Sequence, residues 1–348
     1  MQTIIRKVDE NCIDEMIMKE AGALLKQGAL VAFPTETVYG LGANALDSEA
    51  AAKIYAAKGR PSDNPLIVHI ADMDALPLIT AEIPEAAKKL AAKFWPGPLT
   101  MVMKKSEVVP YGTTGGLDTV AVRMPAHPIA LEMIRHGGGY IAAPSANTSG
   151  RPSPTLASHV ADDMDGIVPL ILDGGAVGIG IESTIVDLTD EIPTILRPGF
   201  ITKEMLQEVV GEVQIDKGLD ADSKTPPKAP GMKYRHYAPK AELMIVEGAS
   251  EAVVEKINAL VRENEEKGIC TGIIGTEETI SRYPAGIVKC MGTRNDELSI
   301  RSHLYGILRE FDESDAKVIY SESFEEGAMG SAIMNRLLKA AGHKIIHV

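Results

Sequence analysis

The last third of the chain alternates between strand-like and helix-like stretches, and this alternation restricts the fold more than any other feature. Five short apolar runs read as strands: AELMIVEG, ICTGIIGT, GIVKCMG, AKVIYSES and KIIHV. Amphipathic stretches such as SEAVVEKINALVRENEEKG separate most of them. Strands that alternate with helices assemble into a sheet with helices packed on its faces. Residues 241–348 are therefore predicted to form a small Rossmann-like open α/β domain.

Strand-like runs outnumber helical ones in residues 1–215. LTMVMKK, TVAVRMP, PLILDGG, STIVDL and TILRPG are typical of strands, whereas IDEMIMKEAGALLKQG and PEAAKKLAAKFW show helical periodicity. So many strands with few helices predict a twisted mixed sheet with flanking helices. Between the two regions, residues 216–240 are polar, rich in proline and without periodicity, which is typical of an interdomain linker.

Composition excludes several classes of protein. The formal net charge of -13 lacks the basic footprint of a nucleic-acid-binding domain, although a local basic cleft remains compatible with it. No apolar run approaches the roughly 20 residues of a membrane span, and the start of the chain lacks the apolar segment of a signal peptide. Three widely spaced cysteines argue against a disulfide framework or a cysteine-based zinc site. Together these features predict a cytoplasmic protein with no membrane association.

The stretch KGRPSDNPL, residues 58–66, places two cations one residue apart among prolines. Proline fixes its own φ and favours extended geometry in the residue before it. In an extended chain Lys58 and Arg60 would point the same way, where their charges repel unless an anion lies between them. The segment is thus either an anion site or a solvated loop with two surface cations.

Familiar catalytic motifs are missing from the sequence. It contains no H-E-x-x-H, no G-x-S-x-G and no Walker A loop, and GLGANA lacks the third glycine of a dinucleotide fingerprint. Clusters of hydroxyl and amide side chains instead follow several strands, in PTETVYG, APSANTSGRPS and ESTIVD. Ligands bind at strand ends in open α/β sheets. Many donors and cations without an obvious nucleophile indicate a site that binds and aligns anions.

Seven motifs of the sequence occur in the same order as in a known protein family, and their number makes the resemblance specific. PTETVYGLGANA, KGRPSDNPLIVHI, WPGPLT, VAVRMP, APSANTSGRPS, ESTIVD and LRPG occur as in the YrdC-like family of L-threonylcarbamoyladenylate synthases. The motifs cover the first 200 residues or so. PGMKYRHYAP in the linker and the appended α/β domain are similar to the long two-domain form of the family.

The resemblance implies a nucleotidyltransferase reaction. L-threonine, bicarbonate (or CO2) and ATP would give threonylcarbamoyl-AMP and pyrophosphate, with Mg²⁺ held through the ATP phosphates. The product would pass to a separate tRNA threonylcarbamoyl transferase that modifies an adenosine of tRNA, and tRNA itself would not be required for this step.

The resemblance also assigns residues to ligands. Lys58 and Arg60 would be the central catalytic cations, and Tyr234 in the linker would cover the nucleotide as a lid. The full ATP-binding set is Lys58, Arg60, Asn64, Thr119, Ser145, Asn147, Arg151, Arg197 and Tyr234. The L-threonine-binding set is Thr35, His69, Arg123, the backbone at Ala143, and Ser183.

Other interpretations of these residues stay open at this point. Arg123 and Arg197 could form ordinary strand-end salt bridges, Tyr234 could pack at a domain interface, and His69 could be a structural histidine. For the whole protein, one alternative is an RNA-binding module, which the acidic balance and the lack of an aromatic RNA-binding motif disfavour. The other is a carbamoyl-handling domain like those of hydrogenase maturation factors, whose zinc-finger cysteine spacing is missing here.

Overall fold

The computed structural model describes residues 2–216, 236–324 and 330–348. Its contacts divide the chain into two compact units. In the described residues, unit 1 comprises residues 2–149, 153–178 and 182–216, and unit 2 comprises residues 150–152, 179–181, 236–324 and 330–348.

Unit 1 is built on one eleven-stranded mixed sheet, which confirms the predicted fold class. Its strands are β1 (Ile4–Lys7), β2 (Val31–Phe33), β3 (Gly40–Asn44), β4 (Ile67–His69), β5 (Leu99–Lys104), β6 (Thr119–Arg123), β7 (Ile141–Ala142), β8 (Leu170–Asp173), β9 (Thr184–Asp187), β10 (Thr194–Arg197) and β11 (Gln214–Ile215). Across the sheet they run in the order β1-β8-β2-β3-β7-β4-β6-β5-β9-β10-β11. The sheet contains both parallel pairs, such as β4 with β6, and antiparallel pairs, such as β5 with β6.

The helices of unit 1 are α1 (Glu15–Lys26), α2 (Ser48–Lys58), α3 (Leu76–Ile79), α4 (Glu85–Phe94), α5 (Tyr111–Thr114), α6 (Pro128–His136), α7 (Ala157–Met164) and α8 (Lys203–Val210). A 3₁₀ turn at Met73–Ala75 precedes α3. Residues of α2, α4, α7 and α8 share the largest hydrophobic cluster with one face of the sheet. The sequence analysis did not predict α6, α7 or α8, so the sheet has more helical cover than expected.

Local sequence explains where several of these helices begin. The side chains of Asp14, Asp47 and Thr202 accept hydrogen bonds from backbone N–H groups in the first turns of α1, α2 and α8. Such caps satisfy amide groups that have no partner within the helix. Helix α1 packs closely against α6, because a Cβ atom at Gly22 would lie 2.5 Å from the carbonyl oxygen of His136.

The second face of the sheet has two parts. Helices α1 and α6 form a hydrophobic cluster with β2, β7 and β8 on this face. Farther along the same face, β4, β5, β6, β9 and β10 contribute a separate small cluster of Ile67, Val102, Ala121, Ile185 and Leu196. Direct cross-strand pairing of His69 with Ile141 and with Arg123 puts both His69 and Arg123 on this second face. This part of the face carries the candidate site.

Unit 2 contains a five-stranded, all-parallel sheet in the order β14-β13-β15-β12-β16. The strands are β12 (Glu242–Glu247), β13 (Thr271–Gly275), β14 (Ile287–Cys290), β15 (Val318–Glu322) and β16 (Ile345–His347), and the helices are α9 (Ser250–Glu266), α10 (Glu297–Asp312) and α11 (Gly330–Ala341), with a 3₁₀ turn at Ile280–Arg282. Helix α9 packs on Val246, Ile273 and Tyr320 of the sheet. The predicted Rossmann-like domain is thus confirmed.

The three cysteines carry free thiols. Among the helices of the described ranges, none combines the length and the apolar character needed to cross a bilayer.

Candidate active site

A row of polar side chains crosses neighbouring strands on the second face of unit 1. His69 of β4 pairs directly with Arg123 of β6, and Arg123 pairs with Thr100 of β5. Directly paired residues project to the same side of a sheet. The hydroxyl of Thr100 lies 2.8 Å from that of Ser183, which precedes β9. All four residues are buried, so the sequence has placed hydrogen-bonding groups where a core would normally be apolar.

Arg123 is held on three sides. Its Nη1 donates to Thr37 Oγ1 at 3.0 Å and its Nε donates to the Gly97 carbonyl at 3.4 Å. Its Nη2 lies 2.7 Å from Oε1 of Glu36, with only 5% of the arginine side chain and 14% of the glutamate side chain exposed. The sequence analysis left open a salt bridge for Arg123, and the structure contains one, although it is buried rather than exposed.

His69 is a neutral imidazole. Burial, and secondarily the positive charge of Arg123, lower its pKa from an ordinary value near 6.5 to about 3. Its Nδ1 lies 3.1 Å from the Ile67 carbonyl, which can only accept a hydrogen bond, so the ring proton belongs on Nδ1. The ring of Phe33 meets His69 edge to face. With its proton used by the Ile67 carbonyl, His69 can accept a hydrogen bond through Nε2 but carries no positive charge at neutral pH.

Ser183 links the row to β10. Its backbone carbonyl accepts from Nε of Arg197 at 3.1 Å, and its hydroxyl accepts from Nη2 of the same arginine at 3.2 Å. Arg197 is buried at the end of β10, where it pairs with Ile185 across the strands. Both guanidinium groups of the row are thus oriented by hydrogen bonds before any ligand arrives.

The geometry predicted for Lys58 is wrong. Lys58 is the last residue of α2 rather than part of an extended segment, and Gly59 ends the helix with φ of 61°. The lysine is only 2% exposed. Its Nζ donates to the Ser145 carbonyl at 2.5 Å and to the Asn147 carbonyl, and lies 3.4 Å from Asn147 Oδ1. Helix termination overrides the proline-based argument because the left-handed glycine turns the chain before Pro61 is reached.

Lys58 therefore belongs to a second polar group on unit 1, together with Ser145 and Asn147. The Ser145 hydroxyl donates to Asn147 Oδ1 at 2.6 Å, and Asn147 Nδ2 donates to the Thr148 carbonyl at 2.8 Å. Ser145 also forms an antiparallel bridge to Gly40. The loop of residues 34–39 that precedes Gly40 carries Glu36 and Thr37, so this one loop adjoins both polar groups.

Arg60 and Asn64 lie in the loop between α2 and β4. Nη2 of Arg60 donates to the carbonyls of Asn64 and Pro65 at 3.3 Å and 3.0 Å. Asn64 is buried, and its Oδ1 accepts no hydrogen bond within the described residues. The guanidinium of Arg60 thereby stiffens the loop that the prolines already restrict.

The remaining predicted residues occupy varied positions. The hydroxyl of Thr35 is used within its own turn, where it donates to the Val38 carbonyl at 2.7 Å. The backbone N–H of Ala143 donates to the Ile67 carbonyl at 2.9 Å. Thr119 begins β6, four residues before Arg123, which corresponds to a separation of about 13 Å along a strand.

Two residues of the predicted ATP-binding set lie outside the described part of unit 1. Arg151 belongs to unit 2, where its Nη2 lies 3.2 Å from Oδ2 of Asp312. Tyr234 lies outside the described residues. The assignment of individual residues to ATP or L-threonine stays a prediction.

Sequence reasoning missed Glu36, Thr37 and Thr100 as members of the site. Glu36 and Thr37 are part of the PTETVYG cluster that was singled out, but nothing in a sequence says which acid is buried against which arginine. Thr100 lies in an otherwise apolar strand, LTMVMK. Its single hydroxyl group was the only feature of that strand that could have indicated a site residue.

The described residues contain no group of three or more His, Cys, Asp or Glu side chains that could hold a metal ion.

Comparison with known proteins gives the site its context. A family model of Sua5, YciO and YrdC proteins, described as telomere recombination, matches residues 23–199, and one described as the C-terminal domain of threonylcarbamoyl-AMP synthase matches residues 201–342. A threonylcarbamoyl-AMP synthase of Pyrococcus abyssi is 51% identical over 346 residues, covering 99% of this chain and 100% of the relative. The chain belongs to the threonylcarbamoyl-AMP synthase family.

Two further relatives extend the match. The threonylcarbamoyl-AMP synthase of Bacillus subtilis is 51% identical over 339 residues, covering 97% of this chain and 96% of the relative. A crystal structure of P. abyssi Sua5 complexed with L-threonine superposes with a TM-score of 0.94 at 50% identity, covering 99% of this chain and 100% of that one. As a member of the threonylcarbamoyl-AMP synthase family, the chain matches its relatives through both units rather than through unit 1 alone.

Proposed function

We propose that this protein is a threonylcarbamoyl-AMP synthase, a nucleotidyltransferase that converts L-threonine, bicarbonate (or CO2) and ATP to threonylcarbamoyl-AMP and pyrophosphate. The observation that carries the proposal is identity of 51% over essentially the whole length of a synthase. The site is compatible with this chemistry because it gathers buried cations and hydroxyl groups without a protein nucleophile.

The reaction explains why no catalytic dyad is needed. The amine of L-threonine forms the new N–C bond with the carbon source, and a carbamate oxygen then attacks the α-phosphorus of ATP as pyrophosphate leaves. The enzyme mainly aligns the reactants and stabilises charge. Alignment alone can supply about 7–11 kcal/mol of the barrier.

Arg123 is the residue we assign to the carboxylate of L-threonine, because a guanidinium matches a carboxylate in two parallel hydrogen bonds. His69 and Ser183 flank it with hydrogen-bonding groups. Thr35 and the backbone at Ala143 complete the L-threonine site that we propose.

Lys58 and Arg60 are assigned to the phosphates of ATP. Lys58 and Arg60 each donate to backbone carbonyl oxygens, which orients two cationic side chains in the region where we place the triphosphate. We assign Asn64, Thr119, Ser145, Asn147, Arg151, Arg197 and Tyr234 to the same nucleotide.

Mg²⁺ is expected to enter with ATP. When bound, the ion would supply positive charge that neutralises the phosphates during the reaction. Since the described residues hold no cluster of acidic, histidine or cysteine ligands, we propose that phosphate oxygens bind the ion.

The product is a mixed anhydride that a second enzyme must consume. We propose that a tRNA threonylcarbamoyl transferase takes it, and that tRNA is not needed for its synthesis. ATP and tRNA are both cytoplasmic, and we place the enzyme in that compartment.

Pyrophosphate release from the purified protein tests the proposal. Release should require ATP, L-threonine and bicarbonate together, and it should stop when any one of them is omitted. Release that continues without L-threonine, or no release at all under conditions where the protein is folded, would refute this function.

A further inference from the structure

The carboxylate of Glu36 is buried in an incomplete set of contacts. Both of its oxygens are shielded from solvent, and neither accepts a hydrogen bond from any residue in ranges 2–216, 236–324 and 330–348. Oε1 lies 2.7 Å from Nη2 of Arg123, but this contact is an ion pair without the alignment of a hydrogen bond. A carboxylate has about four acceptor positions, so most of its capacity is unused.

A buried charge in this state is costly. A buried polar group that lacks a hydrogen bond destabilises the fold, and a charged group does so more. A chain that needed only to neutralise Arg123 would gain more from a well-aligned pair. Among the described residues, His127 is a second cationic candidate near Glu36, but burial lowers the pKa of that imidazole, and the charges of Glu10 and Glu36 only oppose the shift.

The charges of the pair complement those of a free amino acid. Arg123 offers N–H donors to a carboxylate, whereas Glu36 offers acceptors to an ammonium or amine. The pair itself is neutral overall, as is the zwitterion of an amino acid. In the part of the chain that the structure describes, no hydrogen bond fixes the Glu36 carboxylate, and its terminal torsion is soft, so the group can turn toward a donor.

We propose that Glu36 binds the α-amino group of the amino-acid substrate and makes the site selective for a free amine. This inference rests on the proposed function, since it takes L-threonine as the ligand of Arg123. Glu36 then directs the amine nitrogen, which must bond to the carbon source, while Arg123 holds the carboxylate next to it.

Two other roles for Glu36 make different predictions. If the residue only orients Arg123, its loss should weaken every carboxylate ligand equally. If it occupies Arg123 as an internal competitor, its loss should tighten the binding of such ligands. Only a direct contact with the amine makes the effect depend on whether the ligand has one.

The experiment compares L-threonine with (R)-3-hydroxybutyrate, which has the same carboxylate, hydroxyl and methyl groups but no amine. NMR titration of the full-length protein gives the dissociation constant of each ligand for wild type, Glu36→Gln and Glu36→Asp. The matched control is Glu10→Gln, because Glu10 is an exposed carboxylate whose Oε2 lies 3.9 Å from His127 Nε2 and which makes no ion pair with Arg123. Thermal unfolding of each variant checks that it is folded.

We expect wild type and Glu10→Gln to prefer L-threonine strongly over the deamino ligand. Glu36→Gln should lose about tenfold to a hundredfold of that preference, as expected when a hydrogen bond to a charged group is removed. Glu36→Asp, which keeps the charge on a shorter side chain, should retain part of it.

Equal weakening of both ligands in Glu36→Gln, or tighter binding of both, would overturn the inference while leaving the proposed function intact. If wild type does not bind L-threonine at all, both fail. If Glu36→Gln does not fold, Glu36→Asp decides: a partial loss of the preference for L-threonine in a folded Glu36→Asp supports the inference, and an unchanged preference or an equal loss for both ligands overturns it.

Discussion

At the scale of single residues, Lys58 shows how a binding group can also be a structural one. Its Nζ contacts two carbonyl oxygens of the segment that carries Ser145 and Asn147. The ammonium group is thus held in place by backbone acceptors of that segment. Removing it should affect both the fold and the chemistry.

We expect Lys58→Met to lower the free energy of unfolding by about 2–3 kcal/mol, because charge-assisted hydrogen bonds to buried carbonyls are lost. Product formation should fall far more than this loss of folded protein explains. The control is Lys53→Met on the same helix, whose Nζ donates to the Gly28 carbonyl at 2.6 Å. That variant should lose some stability and keep normal turnover. Chemical denaturation and initial rates measure both quantities, and near-normal turnover of a folded Lys58→Met would remove Lys58 from the site.

His69 makes the stability of unit 1 depend on pH. Its pKa is about 3 in the fold and near 6.5 when unfolded, so the unfolded chain binds the extra proton. Stability from this residue is fully present above pH 6.5 and is lost as the pH falls below it. Between pH 6.5 and 5 the loss should be about 2 kcal/mol. We therefore expect the difference in unfolding free energy between wild type and His69→Gln to shift by about that amount against wild type on acidification from pH 7.5 to 5. A difference that is independent of pH would mean that His69 is not buried as a neutral ring.

Sequence analysis predicted those site residues to which the family motifs assign a ligand. Arg123, His69, Ser183 and Arg197 were all singled out, and the structure connects them by strand register and hydrogen bonds. Glu36 was missed because burial against Arg123 depends on how the loop of residues 34–39 folds over a strand that is distant in sequence.

At the scale of elements, the predicted strands were found because their apolar runs were long and bounded by turns. Helices α6 and α7 were missed because they are short and lie between motifs that drew attention to loops. The prediction that Lys58 lies in an extended segment of KGRPSDNPL was wrong for a local reason. The glycine that ends α2 fixes the chain direction at Lys58, and the argument from proline applies only after it.

Gly59 is the element-scale test of that correction. It adopts φ of 61° and a Cβ atom there would meet no atom within 4 Å, so strain rather than a clash sets the cost of a substitution. Gly59→Ala should lower the free energy of unfolding by about 1–2 kcal/mol. Gly178→Ala, at an equally open position without a positive φ, should cost much less. Equal costs for the two variants, measured by denaturant titration, would mean that the left-handed helix end is not what positions Lys58.

At the scale of the whole molecule, each unit has its own hydrophobic clusters. The boundary is not a single point in the chain, because residues 150–152 and 179–181 belong to unit 2. Sequence analysis predicted one division, at residues 216–240, since short excursions of three residues leave no compositional signal. The linker prediction and the covering role of Tyr234 concern residues that are mostly outside the described ranges.

A chain of residues 1–216 should fold on its own, because the two large clusters of unit 1 lie within it. Residues 150–152 and 179–181 should exchange amide hydrogens faster there than in the full protein, since partners such as Asp312 of Arg151 are missing. Exchange in β4 and β6 should be unchanged. Loss of cooperative unfolding in the shorter chain would show that unit 1 depends on unit 2 for its fold.

The central claim is that this chain joins three substrates into threonylcarbamoyl-AMP. The most direct test incubates the purified protein with ATP, Mg²⁺, L-threonine and ¹³C-bicarbonate and analyses the mixture by mass spectrometry. We predict an ion with the mass of threonylcarbamoyl-AMP that becomes heavier by the one labelled carbon, together with an equal amount of pyrophosphate. ATP turnover without the labelled adduct, or an adenylate that contains threonine but no label, would contradict the account.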